Sequence, residues 1–322
     1  MFLYRHLVCL LFAFMAIDAL DNATVNLRTK RSLSTQDLVL ELMHRMIIAE
    51  RNDLDKAGNS VSILQRDSCT SIKSIGKPVT HNARYVTQGA WMKDPLGIMG
   101  AENLFVMEGY YNQRYLKEYE NMDKFKAGLV RKKYTLPYDW DGTGTVVYGP
   151  YLYYNRESSN QIVKYNLRSE GIEAYIGVNY CSPRSNQYQW GGYSGMDLAV
   201  DEQGLWVLCG TTNNDKRLTA GKIDVETNNI ARNFYLSTER INSMGNAFVA
   251  CGVIYTIDSY SSRSTTINFA YDTKTGKQWN PNIKFTNQYG YNSMVDYNPR
   301  EKVLYAWDKR YQVTYPITFE EH

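Results

Sequence analysis

Histidine is nearly missing from this chain. His6, His44, His81 and His322 are the whole supply among 322 residues. A histidine-based zinc site or a Ser-His-Asp triad therefore has little to draw on. Proline is scarce at 8 and glycine stands at 22, which excludes collagen-like and low-complexity disordered classes. Charge of one sign is also lacking. Lys+Arg 36 against Asp+Glu 33 leaves a formal +3, so nothing electrostatic argues for a nucleic-acid partner. No segment is long and apolar enough to span a bilayer, which takes about 20 residues. There is no P-loop and no dinucleotide fingerprint. Ser194, in Gly192-Tyr193-Ser194-Gly195, lacks the spacing of a nucleophile elbow.

What is abundant is aromatic. Tyrosine numbers 27 and aromatics make up 13% of the chain, a bias toward strands. With 43% hydrophobic residues, the chain can bury one large core and still carry a smaller appendage.

The appendage is N-terminal. Arg5 and His6 precede an apolar run of eleven residues, Leu7 to Ile17. The run reads as a secretory signal over residues 1–19, cleaved near Ala19, or else as a buried N-terminal helix. Asn22-Ala23-Thr24 is the one N-glycosylation sequon. Arg28-Thr29-Lys30-Arg31 follows and reads as a processing site or a solvated basic cluster, making residues 20–31 a propeptide. From Ser34 or Thr35, either able to cap a helix, Leu33, Leu40, Ile47, Leu54 and Val61 recur every seven residues. Met43, Ala57 and Leu64 fill seam positions, while Gln36 and Glu50 interrupt the pattern and Gly58-Asn59-Ser60 breaks it. Residues 32–66 are thus a short helix and linker. The imperfect heptad is either a weak self-association stalk through residues 33–64 or an amphipathic helix packed on the main domain.

From residue 85 the texture becomes all-β, with short aromatic and β-branched runs between Gly, Asn, Asp and Pro. An aliphatic-aromatic pair recurs at Leu104-Phe105, Leu152-Tyr153, Leu205-Trp206, Ile254-Tyr255 and Leu304-Tyr305, with spacings of 48, 53, 49 and 50. Four of the pairs follow a turn, and a strand-like run precedes each turn: Thr145–Tyr148, Asp197–Val200, Ala247–Ala250 and Ser293–Asp296. Strand, turn and strand at a period of about 50 predicts a five-bladed β-propeller rather than an irregular sandwich. Eight residues before three of the pairs stand Asp197, Asn246 and Asp296; the other two blades have Gly144 and Leu96 there. If these positions lie on the innermost strands, two carboxylates and an amide share one channel. Such a channel holds either a hard cation or hydrogen-bonded waters with one carboxylate protonated.

The ordered blocks Gly89-Ala90-Trp91-Met92-Lys93-Asp94-Pro95-Leu96, Gly142-Thr143-Gly144, Trp190-Gly191-Gly192-Tyr193, Asp197-Leu198-Ala199-Val200-Asp201-Glu202, Asn246-Ala247-Phe248-Val249-Ala250-Cys251-Gly252 and Asp296-Tyr297-Asn298-Pro299 resemble an olfactomedin domain. The resemblance covers about Asp67 to Phe319, with residues 67–322 as the domain. It implies a five-bladed propeller, all-β behind a short N-terminal helix. It also implies a secreted or cell-surface protein acting in cell adhesion, matrix organisation or intercellular signalling, with extracellular proteins as partners. It implies a structural Ca²⁺ held by Asp197, Asn246, Asp296 and the carbonyls of Ala247 and Val295, with a neighbouring Na⁺ on the two aspartates and the Leu198 carbonyl. It implies a disulfide between Cys69 and Cys251. Cys181 and Cys209 lie outside that motif; they pair or stay reduced, and free, buried thiols are expected. No enzymatic activity is expected. The alternatives are a lectin-like glycan-binding propeller and a glycosidase drawing on Asp197, Asp201, Glu202 or Asp296. Arg131-Lys132-Lys133 reads as a solvated loop, with heparin binding as the functional alternative.

Overall fold

In a computed structural model the chain divides into two compact units, Met1–Lys56 and Ala57–His322. The residues described are 69–211 and 216–321, together with helical positions 39, 43–45 and 48 of the first unit. The signal run, the Asn22 sequon, the Arg28–Arg31 cluster and most of the heptad lie outside them. No described helix is long and apolar enough to cross a membrane.

The second unit is a five-bladed β-propeller. Each blade is an antiparallel meander, built because adjacent runs of alternating apolar residues are joined by tight turns. The first blade runs outward through Gly89–Met92, Leu104–Glu108, Tyr115–Tyr119 and Lys132–Thr135. The second runs through Val146–Tyr148, Tyr151–Asn155, Gln161–Asn166 and Gly171–Gly177. The third comprises Met196–Asp201, Gly204–Gly210, Arg217–Asp224 and Asn229–Arg240. The fourth comprises Asn246–Ala250, Val253–Ile257 and Ser264–Asp272, on which both Gln278–Trp279 and Ile283–Thr286 pair. All five aliphatic-aromatic pairs fall on second strands.

The fifth blade is assembled from both ends of the domain. Asn292–Asn298, Val303–Asp308 and Tyr311–Phe319 supply its inner three strands; Ile72–Ile75 and Val79–Ala83 both pair with Tyr311–Phe319. The short edge strands before residue 85 were not legible in the repeat, because they belong to the last blade and not to the first.

The core lies between blades. One buried cluster joins the fifth, first and second blades around Trp91, Phe105, Trp140 and Trp307. Others fill the seams between the second and third blades, the third and fourth and the fourth and fifth. Trp91 shows how a seam is fixed. Its ring stacks on Phe125 at 5.4 Å and meets Tyr305 edge-on at 4.6 Å. Its Nε1 donates to the Ala306 carbonyl at 2.9 Å, so a first-blade indole is satisfied by a fifth-blade backbone.

At the end of the propeller where first strands turn into second strands, buried carboxylates stitch neighbouring blades. Asp94 accepts from the amides of Leu96, Ile98 and Met99 in its own loop and from Gly149 of the next blade at 2.8 Å. Asp201 accepts from Trp206 Nε1 and from the Gly252 amide, and Glu202 from the Cys251 amide and the Tyr297 hydroxyl. Cys251 and Gly252 both have positive φ, 57° and 71°, the turn a two-residue hairpin needs.

Candidate metal centre

Asp197 sits on Met196–Asp201, Asn246 on Asn246–Ala250, and Asp296 on Asn292–Asn298. These are the innermost strands of the third, fourth and fifth blades, and they touch one another around the axis. Each has one edge unpaired within its sheet, so alternate backbone groups face the axis. Leu198, Ala247 and Val295 belong to these strands. Gly144 lies two residues before the second blade's inner strand, Val146–Tyr148. In the first blade the count of eight reaches Leu96, which lies in a long loop; the inner-strand partner of Phe105 is Met92. That blade places no donor by the repeat because its first turn is longer.

The electrostatics of the channel are unusual. Asp296 is 7% exposed, and neither of its carboxylate oxygens has a hydrogen-bond partner. Burial, and then the charge of Asp197, push its carboxyl well above the ordinary 3.8. Asp197 is only partly covered as a residue, but its carboxylate lies deep among protein atoms, and burial pushes it up to about 7. The Tyr188 hydroxyl donates to Asp197 Oδ2 at 2.9 Å and works against that rise. The Asn246 side chain donates from Nδ2 to the Asn292 carbonyl at 2.9 Å, leaving Oδ1 as its acceptor.

Gly144 is the space that lets Asp197 fit. A Cβ there would run into Asp197 Oδ1 and come within 2.5 Å of its Cα and 2.9 Å of the Leu198 nitrogen. An unsatisfied buried carboxylate, a second beside it and an all-oxygen set fit a hard cation such as Ca²⁺ better than a softer metal.

The channel has two ends. At the turn end Asp296 lines a cavity of about 20 Å³ with Lys93, Val147, Val200, Asn298 and Tyr305 among its walls, room for about one water. At the other end, loops tilt Tyr110 against Tyr111 at 4.6 Å and bring both into edge-on contact with Tyr193, and Tyr110 with Trp190, at 5.7–6.2 Å, while Tyr260 meets Tyr291 edge-on at 5.3 Å. Tyr188 was not singled out from the sequence. It lies nine residues before Asp197 in a loop with no repeat to mark it.

The other carboxylates considered for catalysis are taken. Asp201 and Glu202 are the acceptors of the blade clamps described above. Ser194 is buried, accepting from the Tyr188 amide and donating to the Gly191 carbonyl. His81 bonds Thr314. Glu202 also lies with the sulfurs of Cys69 and Cys251 within 4.8 Å, but those sulfurs are joined and are not thiolate ligands.

Cys69 and Cys251 form a disulfide, Cα–Cα 5.3 Å, across a separation of 182 residues. The expectation of free thiols at Cys181 and Cys209 is corrected: they form a second disulfide, Cα–Cα 6.0 Å. The loop after Gly171–Gly177 folds back onto the second strand of the third blade. This brings Cys181 into the same buried cluster as Cys209, within bridging distance.

An olfactomedin-like domain model matches residues 64–322, more than three quarters of the chain. The chain belongs to the olfactomedin-like family. Among curated relatives, myocilin of Bos taurus is 36% identical over 256 residues, covering 77% of this chain and 52% of that protein. Myocilin of Rattus norvegicus is 35% identical over 301 residues, covering 90% of this chain and 59% of the relative. Myocilin of Oryctolagus cuniculus is 36% identical over 258 residues, covering 78% and 52%. The chain thus spans a little over half the length of the olfactomedin-family relatives it matches.

Proposed function

We propose that this olfactomedin-family chain is a secreted, non-enzymatic protein whose propeller is tied together by a structural Ca²⁺ and serves as an extracellular protein-interaction module in adhesion, matrix organisation or signalling. The observation that carries the reading is the Asp296 carboxylate, buried beside Asp197 with neither oxygen hydrogen-bonded. Two like charges in that setting call for a cation. Asp197, Asn246, Asp296 and the carbonyls of Ala247 and Val295 would hold Ca²⁺, with Leu198 contributing to an adjoining Na⁺. The ion would supply positive charge between three blades. Two disulfides suit an oxidising, extracellular compartment.

The partner reading is supported by the loops around the aromatic end. They are built of Tyr, Trp, Gly, Ser and Asn, as in Gly109-Tyr110-Tyr111-Asn112 and Trp190-Gly191-Gly192-Tyr193-Ser194, the composition that gives rigid contact area with adaptable hydrogen bonding. The N-terminal segment extends the proposal: a signal removed near Ala19, processing after Arg31 and weak self-association through residues 33–64.

Elemental analysis of the purified protein tests the metal, with one calcium per chain expected and none in Asp197→Ala. Binding of the secreted protein to cells tests the partner class. Loss after protease treatment but not after removal of N- and O-linked glycans is expected, and the reverse pattern would overturn it in favour of a lectin. A mass for the secreted form that includes residue 22 with its glycan would refute cleavage after Arg31.

A further inference from the structure

We propose that the outer edge of the first blade binds a sulfated glycosaminoglycan chain of the heparan type. The ten residues from Lys124 to Lys133 contain five cations (Lys124, Lys126, Arg131, Lys132 and Lys133) and no carboxylate. The chain as a whole nets +3, so these ten residues hold more than its entire positive excess and leave the remainder at a net −2.

The fold places this run where a long polymer can reach it. Lys124 and Lys126 sit on the helix Met122–Lys126; residues 127–131 are exposed; Lys132 and Lys133 open Lys132–Thr135, the outermost strand of its sheet. The result is a strip of cations along one edge rather than a pocket.

Neutralisation is incomplete. Arg131 lies 3.5 Å from Glu118 and Lys132 lies 2.8 Å from Glu170, with side chains 57% and 40% exposed. Among the described residues no carboxylate forms an ion pair with Lys124, Lys126 or Lys133. Lys133 stands directly opposite Lys117 across the ladder, an unfavourable placement for like charges in a sheet. Lys117 turns to Glu108 at 2.7 Å, while Lys133 rests its ammonium 3.5 Å from the centre of the Tyr115 ring. The positive field reaches inward: His81 is held below its usual range first by burial and next by Lys126.

An edge that opposes like charges and leaves Lys124, Lys126 and Lys133 without a carboxylate partner among the described residues is suited to a polyanion. Nucleic acid and the anionic cytoplasmic leaflet are both on the far side of the membrane from a disulfide-bonded protein. The exposed aliphatics Leu129 and Val130, 56% and 42% exposed, are two side chains only, a small apolar area for membrane anchorage. Sulfate groups spaced along a flexible chain match separate ammonium and guanidinium groups along an edge. The proposal rests on the secreted reading for its compartment alone and is independent of the protein partner.

The test uses the full-length secreted protein on immobilised heparin with a sodium chloride gradient. Wild type should be retained at about 0.15 M salt and released at higher salt. The triple variant Lys124→Glu, Lys126→Glu, Lys133→Glu should bind heparin at least about tenfold more weakly, and the glutamine triple at the same positions about threefold, by loss of counterion release. A control triple with the same change in net charge, Lys73→Glu, Lys274→Glu and Lys284→Glu on other blades, should stay within about twofold of wild type. Melting curves identify any variant that fails to fold, and the glutamine triple then carries the test. Wild type that flows through at physiological salt, or equal losses in the edge and control triples, would overturn the site. So would tighter binding to phosphatidylserine vesicles than to heparin, in favour of a membrane surface.

Discussion

Replacing Asp296 by Asn should have opposite effects with and without calcium. In the metal-free protein two buried carboxylates face each other without enough donors to satisfy them. Holding Asp197 at about 7 instead of 3.8 corresponds to roughly 4 kcal/mol against its ionisation, at 1.36 kcal/mol per tenfold. Asp296→Asn removes one of the two charges and supplies an N–H donor, so metal-free protein at neutral pH should melt a few degrees higher than wild type. With calcium at a hundred times its dissociation constant, wild type gains about 2.7 kcal/mol, or about 5–10 °C for a domain of this size. The variant should lose most of that gain. The pH dependence follows from the direction of the shift. The folded carboxyl titrates higher than the unfolded one, so the proton's contribution to metal-free stability is full below about pH 4 and is lost as pH rises through about 7. Calcium competes with that proton, so its stabilisation should be largest above pH 7 and fade toward pH 5. The assay is a melting curve at pH 7.5 and pH 5, with calcium and with chelator, for both proteins. A calcium shift in Asp296→Asn equal to wild type, or a wild-type shift unchanged between the two pH values, would refute the reasoning.

Gly144→Ala should cost about 1–3 kcal/mol by overpacking and also blunt the calcium shift, because the new methyl meets Asp197; melting with and without calcium reads both. Loss of the Cys69–Cys251 bridge, closing 182 residues, should cost up to about 5 kcal/mol, and loss of Cys181–Cys209, closing 28, up to about 3.6 kcal/mol on the chain-entropy model. Serine variants measured by denaturant midpoint give the order, and non-reducing peptide mapping checks the pairing. Asp94→Ala should cost about 3 kcal/mol or more, since four amides including Gly149 of the next blade lose their acceptor; equilibrium unfolding measures it.

Much of this architecture could be read before any coordinates. A strand, a two-residue turn and a second strand leave a local signal, so Leu205-Trp206 or Ile254-Tyr255 announces its blade from a dozen residues. The count of eight located Asp197, Asn246 and Asp296 on inner strands; Asp197 and Asn246, behind two-residue turns, hold the same place in their ladders, whereas the longer turn over residues 299–302 sets Asp296 two residues nearer the turn. It failed in the first blade, where residues 93–103 intervene and Asp94 organises a loop. What escaped is non-local. Ile72–Ile75 and Val79–Ala83 look like irregular polar segments until Tyr311–Phe319, more than 200 residues away, gives them a ladder. Tyr188 meets Asp197, and Cys181 meets Cys209, through loops whose paths are set by packing against the next blade. No periodicity marks residues of that kind.

The seam in the fifth blade sets the order in which this protein can be made. Its outer strands, Ile72–Ile75 and Val79–Ala83, emerge before the other blades and wait for Tyr311–Phe319, the last strand of the propeller. The earlier blades can form as they appear, but the ring cannot shut until Tyr311–Phe319 has been made. Throughout that interval bare strand edges remain available to other nascent chains. A chain stopped short of Tyr311 would keep most of its blades and most of its core, yet never close. Closure of the propeller therefore falls on the single strand Tyr311–Phe319.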